Sequence, residues 1–144
     1  MAITQLSAFL ENTPGTLCDA VNSITDAGVN IRALSVADTK DFGILRIIVS
    51  DIEKTKAALS DNTVITETSV LAVKMSDQAG ALKKILNVLK EDDVNIEYVY
   101  AFTGAMQDSA YVVLRVDDIE AGEAILAKSG ITTLNNEDMA GFLA

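Results

Sequence analysis

Apolar and polar residues change their rhythm along the chain in a definite order. Residues 3–10 form an apolar-rich extended run, which Asn12-Thr13-Pro14-Gly15 stops with turn-forming residues. Leu17, Val21, Ile24 and Ala27 then recur at helical spacing, and Gly28 supplies a C-terminal stop. Pro14 suits the first turn of that helix, where a missing N–H removes no intrahelical bond. Residues 29–38 and 43–50 are β-rich and flank Thr39-Lys40-Asp41-Phe42, the pattern of a hairpin. Asp51 caps a short helix that turns Ile52 and Leu59 inward, and residues 63–68 return as a strand. The predicted order is strand, helix, strand, strand, helix, strand.

The chain then repeats it. Residues 11–31, ENTPGTLCDAVNSITDAGVNI, align without a gap to residues 76–96, SDQAGALKKILNVLKEDDVNI. Gly15 and Gly80, Leu17 and Leu82, Val29 and Val94, and Asn30 and Asn95 all stand 65 positions apart. Residues 50–59, SDIEKTKAAL, match residues 117–126, DDIEAGEAIL, at an offset of 67. Two residues have therefore been added in the second hairpin, where extra length costs little. The repeat sets the fold, so it comes before any reading of single residues. In the second copy, strands or helices are predicted at 70–76, 81–90, 94–102, 109–116 and 120–128, with a weaker last strand near 131–134.

Two βαββαβ units with short connections and right-handed crossovers give an α+β fold of two ferredoxin-like modules. Each is a four-stranded antiparallel sheet with both helices on one face. The modules are expected at 1–68 and 69–144. Their join, Thr66-Glu67-Thr68-Ser69-Val70, holds neither Pro nor Gly and is too short for a flexible linker, which implies a fixed relation between them. Apolar residues occupy both alternations of some strands, at Ile44-Leu45, Ile47-Ile48-Val49 and Tyr111-Val112-Val113-Leu114. A sheet edge or face is thus left to pack, between the modules or in a homodimer formed through sheets or helices. The tail from Asn135 is unassigned, with Glu137 to Leu143 a candidate cover for a sheet edge.

Composition works mainly by exclusion. Hydrophobic residues make up 49% of the chain but aromatic ones only 5%, with no Trp, so the core is built from Ile, Val, Leu and Ala. A net charge of −10 repels phosphate backbones and anionic lipid surfaces, so neither nucleic acid nor a membrane is expected as a partner. With no His and one Cys, the usual zinc ligand sets and an intramolecular disulfide are both missing, and no metal or cofactor is expected. Cys18 has no His base to activate it and reads as a small, buried or half-buried helix residue. Glu91-Asp92-Asp93 reads as a solvated helix end. No apolar run reaches about 18 residues, and the N-terminus lacks the basic start of a signal peptide, so a soluble cytoplasmic protein is expected.

The pattern N-T-P-G-T-L followed by G-V-N-I, echoed by D-Q-A-G-A-L and D-V-N-I, resembles the ACT domain, a βαββαβ module that senses amino acids in biosynthetic enzymes. The resemblance covers nearly the whole chain, twice over. It implies a ligand site at module interfaces, built from the loop before the first helix and the start of the second strand. Carried over, the site residues are Asn12, Thr13, Pro14, Gly15, Thr16, Leu17, Asn30 and Ile31 in the first module. In the second they are Asp77, Gln78, Ala79, Gly80, Ala81, Leu82, Asn95 and Ile96. Serine-sensing members of the family imply that Asn12 and Asn30 hold the effector, and their equivalents are Asp77 and Asn95. An Asn both donates and accepts, whereas an ionised Asp only accepts, so the two sites need not be equivalent.

The physical chemistry of the loop fits such a role. A helix N-terminus offers N–H groups to a ligand carboxylate, and a glycine lets the backbone approach it closely. The same residues have local readings too. Asn12 and Asp77 suit helix capping, Asn30 and Asn95 suit the turn into the next strand, and Gly15 and Gly80 suit helix-to-sheet packing. Phe9, Phe42, Tyr98, Tyr100 and Phe102 fit either a ligand pocket or a core. The expected function is a free amino-acid-binding regulatory protein or subunit acting on a separately encoded enzyme, with a ligand-independent assembly module as the alternative. No acid–base pairing suggests catalysis, so no catalytic residue is assigned.

Overall fold

The computed structural model describes residues 2–61, 63–104 and 109–142. The first repeat contains β1 (Ile3–Glu11), α1 (Thr16–Asp26), β2 (Ile31–Asp38), β3 (Phe42–Val49), α2 (Ile52–Leu59) and the leading residues of β4 (Val64–Ser76). The second takes the rest of β4, then α3 (Ala81–Glu91), β5 (Ile96–Ala101), β6 (Ser109–Val116), α4 (Ile119–Lys128) and β7 (Thr133–Leu134). A last helix, α5 (Asn136–Phe142), follows. The duplicated βαββαβ order is present in full.

One compact unit spans Gln5–Thr68. Its strand β3 pairs antiparallel with both β1 and β2, and β4 flanks β1 on the other side. Leu6, Ala8 and Leu10 of β1 and Leu45, Ile47 and Val49 of β3 alternate onto one face, where they meet Ala20 and Ile24 of α1 and Leu59 of α2. Side chains two apart on a strand share a face, so both helices cover the same side of the sheet. Burying Ile24 completely contributes roughly 1.5–3 kcal/mol.

The second unit is Ser69–Phe142 together with residues 2–4. Strand β6 pairs antiparallel with β4 and β5, and β7 pairs with β4 at Ala72↔Leu134 and Val73↔Thr133. Its core joins Leu71, Val73, Leu114 and Val116 to Ile85, Leu89 and Leu126. The two modules fill equivalent space differently. Where the first has Ala20 and Thr55, the second has Ile85 and Gly122. A Cβ on Gly122 would stand 3.1 Å from Leu71 Cδ1 and 3.3 Å from Val116 Cγ2, so a side chain there would require those neighbours to give by a few tenths of an ångström.

Several local expectations change. The two strands expected at 63–68 and 70–76 are one strand, β4, which begins at Val64, because Thr66-Glu67-Thr68-Ser69 contains no residue that breaks extended backbone. The buried stripe of α1 is Ala20 and Ile24, and Leu17 in its first turn is exposed. Pro14 lies in the turn before Gly15, the residue that caps α1, and so precedes the helix. Cys18 is exposed, with Asn22 Nδ2 3.6 Å from its sulfur. The last strand is only two residues long. Beyond it, Asn135 and Asp138 exchange side-chain-to-backbone bonds of 2.8 and 2.9 Å, a capping box that starts α5 against β7. Residues 105–108, between β5 and β6, and Leu143 of the tail lie outside the described residues.

Candidate functional site

The two loops before α1 and α3 share one backbone. Thr16 N donates to Thr13 O at 3.3 Å and Ala81 N to Gln78 O at 3.2 Å, and each turn ends in a left-handed glycine, φ 88 at Gly15 and 89 at Gly80. A Cβ at either glycine would meet nothing within 4 Å. Glycine is therefore required by backbone conformation, and helix-to-sheet packing does not explain it. Neither helix has a side-chain cap. Asn12 and Asp77 are thus free of the capping role that sequence allowed them. The first turns of α1 and α3 begin beside an open, glycine-lined surface, the arrangement that suits an anion.

Asn12, Thr13, Pro14, Gly15 and Leu17 are exposed and Thr16 is half-buried. Their equivalents Asp77, Gln78, Ala79, Gly80 and Leu82 are exposed and Ala81 is half-buried. The loops differ in one contact. Thr13 and Thr16 place their hydroxyl oxygens 2.6 Å apart, and Gln78 and Ala81 have no such pair.

The start of the following strand is also built twice. Asn30 N donates to Ser50 Oγ at 2.9 Å while its carbonyl accepts from Ser50 N at 3.0 Å. Asn95 N donates to Asp117 Oδ1 and its carbonyl accepts from Asp117 N, both at 3.0 Å. The backbone closes this turn, and both Asn residues are exposed. Ile31 and Ile96 are half-buried against their module cores. Within one module, the loop and the Asn lie at opposite ends of an 11-residue helix, roughly 16 Å apart at 1.5 Å per residue. A single module therefore does not bring the two halves of the predicted site together.

Sequence reasoning missed a pair of grooves. In the first module a groove of about 720 Å³ lies between α1 and the end of α2, lined by Leu10, Thr16, Asp19, Ala20, Leu59, Asp61 and Val64 among others. The second module has a groove of about 380 Å³ at the equivalent place, lined by Met75, Ala81, Lys84, Ile85 and Ile131. Of the predicted site residues, only Thr16 and Ala81 line them. A third recess, about 370 Å³, takes in Asn95 and Ile96 beside Lys90 and Asp93. The repeat alignment sets Asp19 against Lys84, but that exchange alone marks no groove.

Among the aromatics, Phe9 and Phe42 line the larger groove. Tyr98 stacks on Tyr100 with ring centres 6.4 Å apart, and Phe102 lies 5.8 Å from Tyr111. Arg115 is held by Glu97 at 3.2 Å and by the Ser69 carbonyl at 2.8 Å. Among the described residues, no helix is long and apolar enough to cross a membrane.

The fold and its repeated, glycine-turned loops define the class, a tandem pair of ferredoxin-like βαββαβ modules. The chain belongs to the ACT domain family, since the family model for an ACT domain pair matches residues 1–143. Among solved structures it is similar to protein BT0572 from Bacteroides thetaiotaomicron. The two are 35% identical, over 97% of this chain and 96% of that one, with a TM-score of 0.89. The ligand-free regulatory subunit of aspartate kinase from Thermus thermophilus is similar at 12% identity, over 88% of this chain and 90% of that one, with a TM-score of 0.68. Aspartate kinase from Synechocystis is similar at 19% identity and a TM-score of 0.59, over 93% of this chain and 26% of that one. At those two identities the likeness is one of fold. No curated protein matches the chain.

Proposed function

We propose that this protein binds a free amino acid and regulates a separate metabolic enzyme through the conformation or association that binding favours. The carrying observation is membership of the ACT domain pair family combined with two open, uncapped helix starts at left-handed glycines. A ligand α-carboxylate fits these N–H groups, while Asn12 and Asp77 stand beside them to meet the ammonium. The loop and the Asn30 or Asn95 turn lie far apart within one module, so no single module supplies a site that uses both. On this reading the protein itself performs no catalysis.

The test is a thermal-shift screen of the twenty amino acids. A ligand selective for the native state at a hundred times its Kd stabilises it by about 2.7 kcal/mol, an ample rise in Tm. No response to any of the twenty overturns the reading.

Ligand-independent assembly is the second reading. It is favoured by Leu34 and Val99, which occupy equivalent positions on β2 and β5 and are 39% and 42% exposed. It calls for an oligomer whose sedimentation is the same with and without amino acids.

A further inference from the structure

We propose that two copies of this chain associate through strand β2 of their first modules, which pair antiparallel across a twofold axis at Ser35. The inference narrows the assembly reading to one of two equivalent sheet edges, and it does not depend on an amino acid being bound.

Strand β2 ends its sheet, with β3 on one side and, among the described residues, no strand on the other. An edge strand leaves a row of backbone N–H and C=O groups open, and proteins commonly guard such a row with Lys, Pro or an inward-pointing charge. The sequence of β2, IRALSVAD, has no Lys and no Pro, and it carries no charge from Ala33 to Ala37. Leu34 stands opposite Ile47 and Val36 opposite Leu45, so both lie on the face against which the helices pack. Their exposures, 39% and 46%, show that the helices leave them uncovered. An apolar pair thus stands beside an open backbone edge.

The order of residues fits this strand to itself. With Ser35 of one copy opposite Ser35 of the other, Leu34 meets Val36 and Ala33 meets Ala37, each twice over. The charged ends also fall together, Arg32 of one copy opposite Asp38 of the other. The net charge of −10 repels a second copy at long range, so association has to come from local contacts of this kind.

The equivalent edge, β5, lacks the fit. It reads IEYVYA, with Glu97 in the place of Arg32 and Ala101 in the place of Val36. Paired with itself about Tyr100, β5 sets Glu97 opposite Thr103 and brings no opposite charges together. Paired with β2 in the equivalent register, it sets Glu97 opposite Asp38, and like charges directly opposite are destabilising. Glu97 is moreover held by Arg115 Nε at 3.2 Å. Among these pairings, only β2 with β2 matches both the apolar residues and the charges.

The test is register-specific cross-linking of the full chain, with Cys18→Ser to remove the exposed thiol. Directly opposite residues of an antiparallel pair have Cα atoms about 4.5–5.5 Å apart, within reach of a disulfide. Under oxidised glutathione, Ser35→Cys should therefore give a covalent dimer. Leu34→Cys and Val36→Cys chains should cross-link when mixed and stay monomeric on non-reducing gels when apart. Val99→Cys mixed with Ala101→Cys, the matching pair on β5, should not react. In sedimentation equilibrium without any added cysteine, Leu34→Lys should weaken the dimer roughly tenfold or more, and Val99→Lys should leave it unchanged. The proposal is overturned if Ser35→Cys does not cross-link, if Leu34→Cys reacts alone as fast as in the mixture, or if the β5 pair matches the β2 pair. A dimer that survives Leu34→Lys overturns it while the assembly reading stands. A monomer at every concentration overturns both and leaves the edge to a strand of another protein.

Discussion

In the first module α1 starts after Asn12-Thr13-Pro14-Gly15, and in the second α3 starts after Asp77-Gln78-Ala79-Gly80. Three of the four residues differ, yet the glycines stand at φ 88 and 89 and the turns close through the same backbone bond. The turn into the second strand behaves alike. A Ser50 hydroxyl accepts from Asn30 N where an Asp117 carboxylate accepts from Asn95 N. Backbone donors need an acceptor but accept several kinds, so the chain path is kept while the side chains drift. Side chains that face an open groove have no such duty, and there Asp19 and Lys84 differ in sign.

The largest test of this contrast is in the cores. Ile24 and Leu89 occupy equivalent, fully buried positions on α1 and α3. Replacing either with Ala should cost about 2–5 kcal/mol in urea unfolding, because each leaves a cavity between helix and sheet. Large loss in one module with little in the other would show that the repeat has not kept equivalent roles for its core positions.

Next in size is the loop. If the first module holds the amino acid through Asn12, Asn12→Ala removes a hydrogen bond to a charged group, about 1.5–3 kcal/mol, or on the order of tenfold or more in affinity. Asp77→Asn gives the second loop the side chain of the first. Calorimetry should show its affinity moving toward that of the first site, and an unchanged value would remove the acidic residue from the account of the difference.

A smaller effect belongs to the caps of α2 and α4. Asp51 accepts from Lys54 N and Asp118 from Ala121 N, both at 3.0 Å. Asp51→Ala and Asp118→Ala should each cost about 1 kcal/mol by thermal unfolding. Unequal losses would mean that one cap has taken on a further role.

Much of this fold was legible because it is periodic. The offset of 65 located both glycine turns, and Asp51 announced its helix. The misreadings come from choices that periodicity leaves open. Leu17 stands at helical spacing from Val21 and Ile24, but a helix that begins at Thr16 and buries Ala20 and Ile24 turns it outward. The break between residues 68 and 70 was inferred from the repeat boundary, and no breaker residue enforces it. At the candidate site, the residues that belong to each turn were readable, whereas the separation of Asn12 from Asn30 by the length of α1 is a three-dimensional fact. The grooves stayed hidden because their residues come from several separate elements and their charges differ between copies, so no local pattern marks them.

The smallest expected effect is the most direct test of the drift argument. Exchanging the two turn acceptors, Ser50→Asp and Asp117→Ser, leaves Asn30 N and Asn95 N each with an oxygen acceptor at an exposed position. If satisfaction of the donor is what matters, each swap should change stability by no more than about 0.5 kcal/mol, the range of ordinary surface substitutions. Ser50→Ala and Asp117→Ala remove the side-chain acceptor, and each should cost about 0.5–1.5 kcal/mol. The comparison is read from four urea midpoints. Swaps as costly as the alanine variants would mean that each turn is tuned to its own side chain, and that the two modules have diverged in backbone energetics as well as in the residues they show to a ligand.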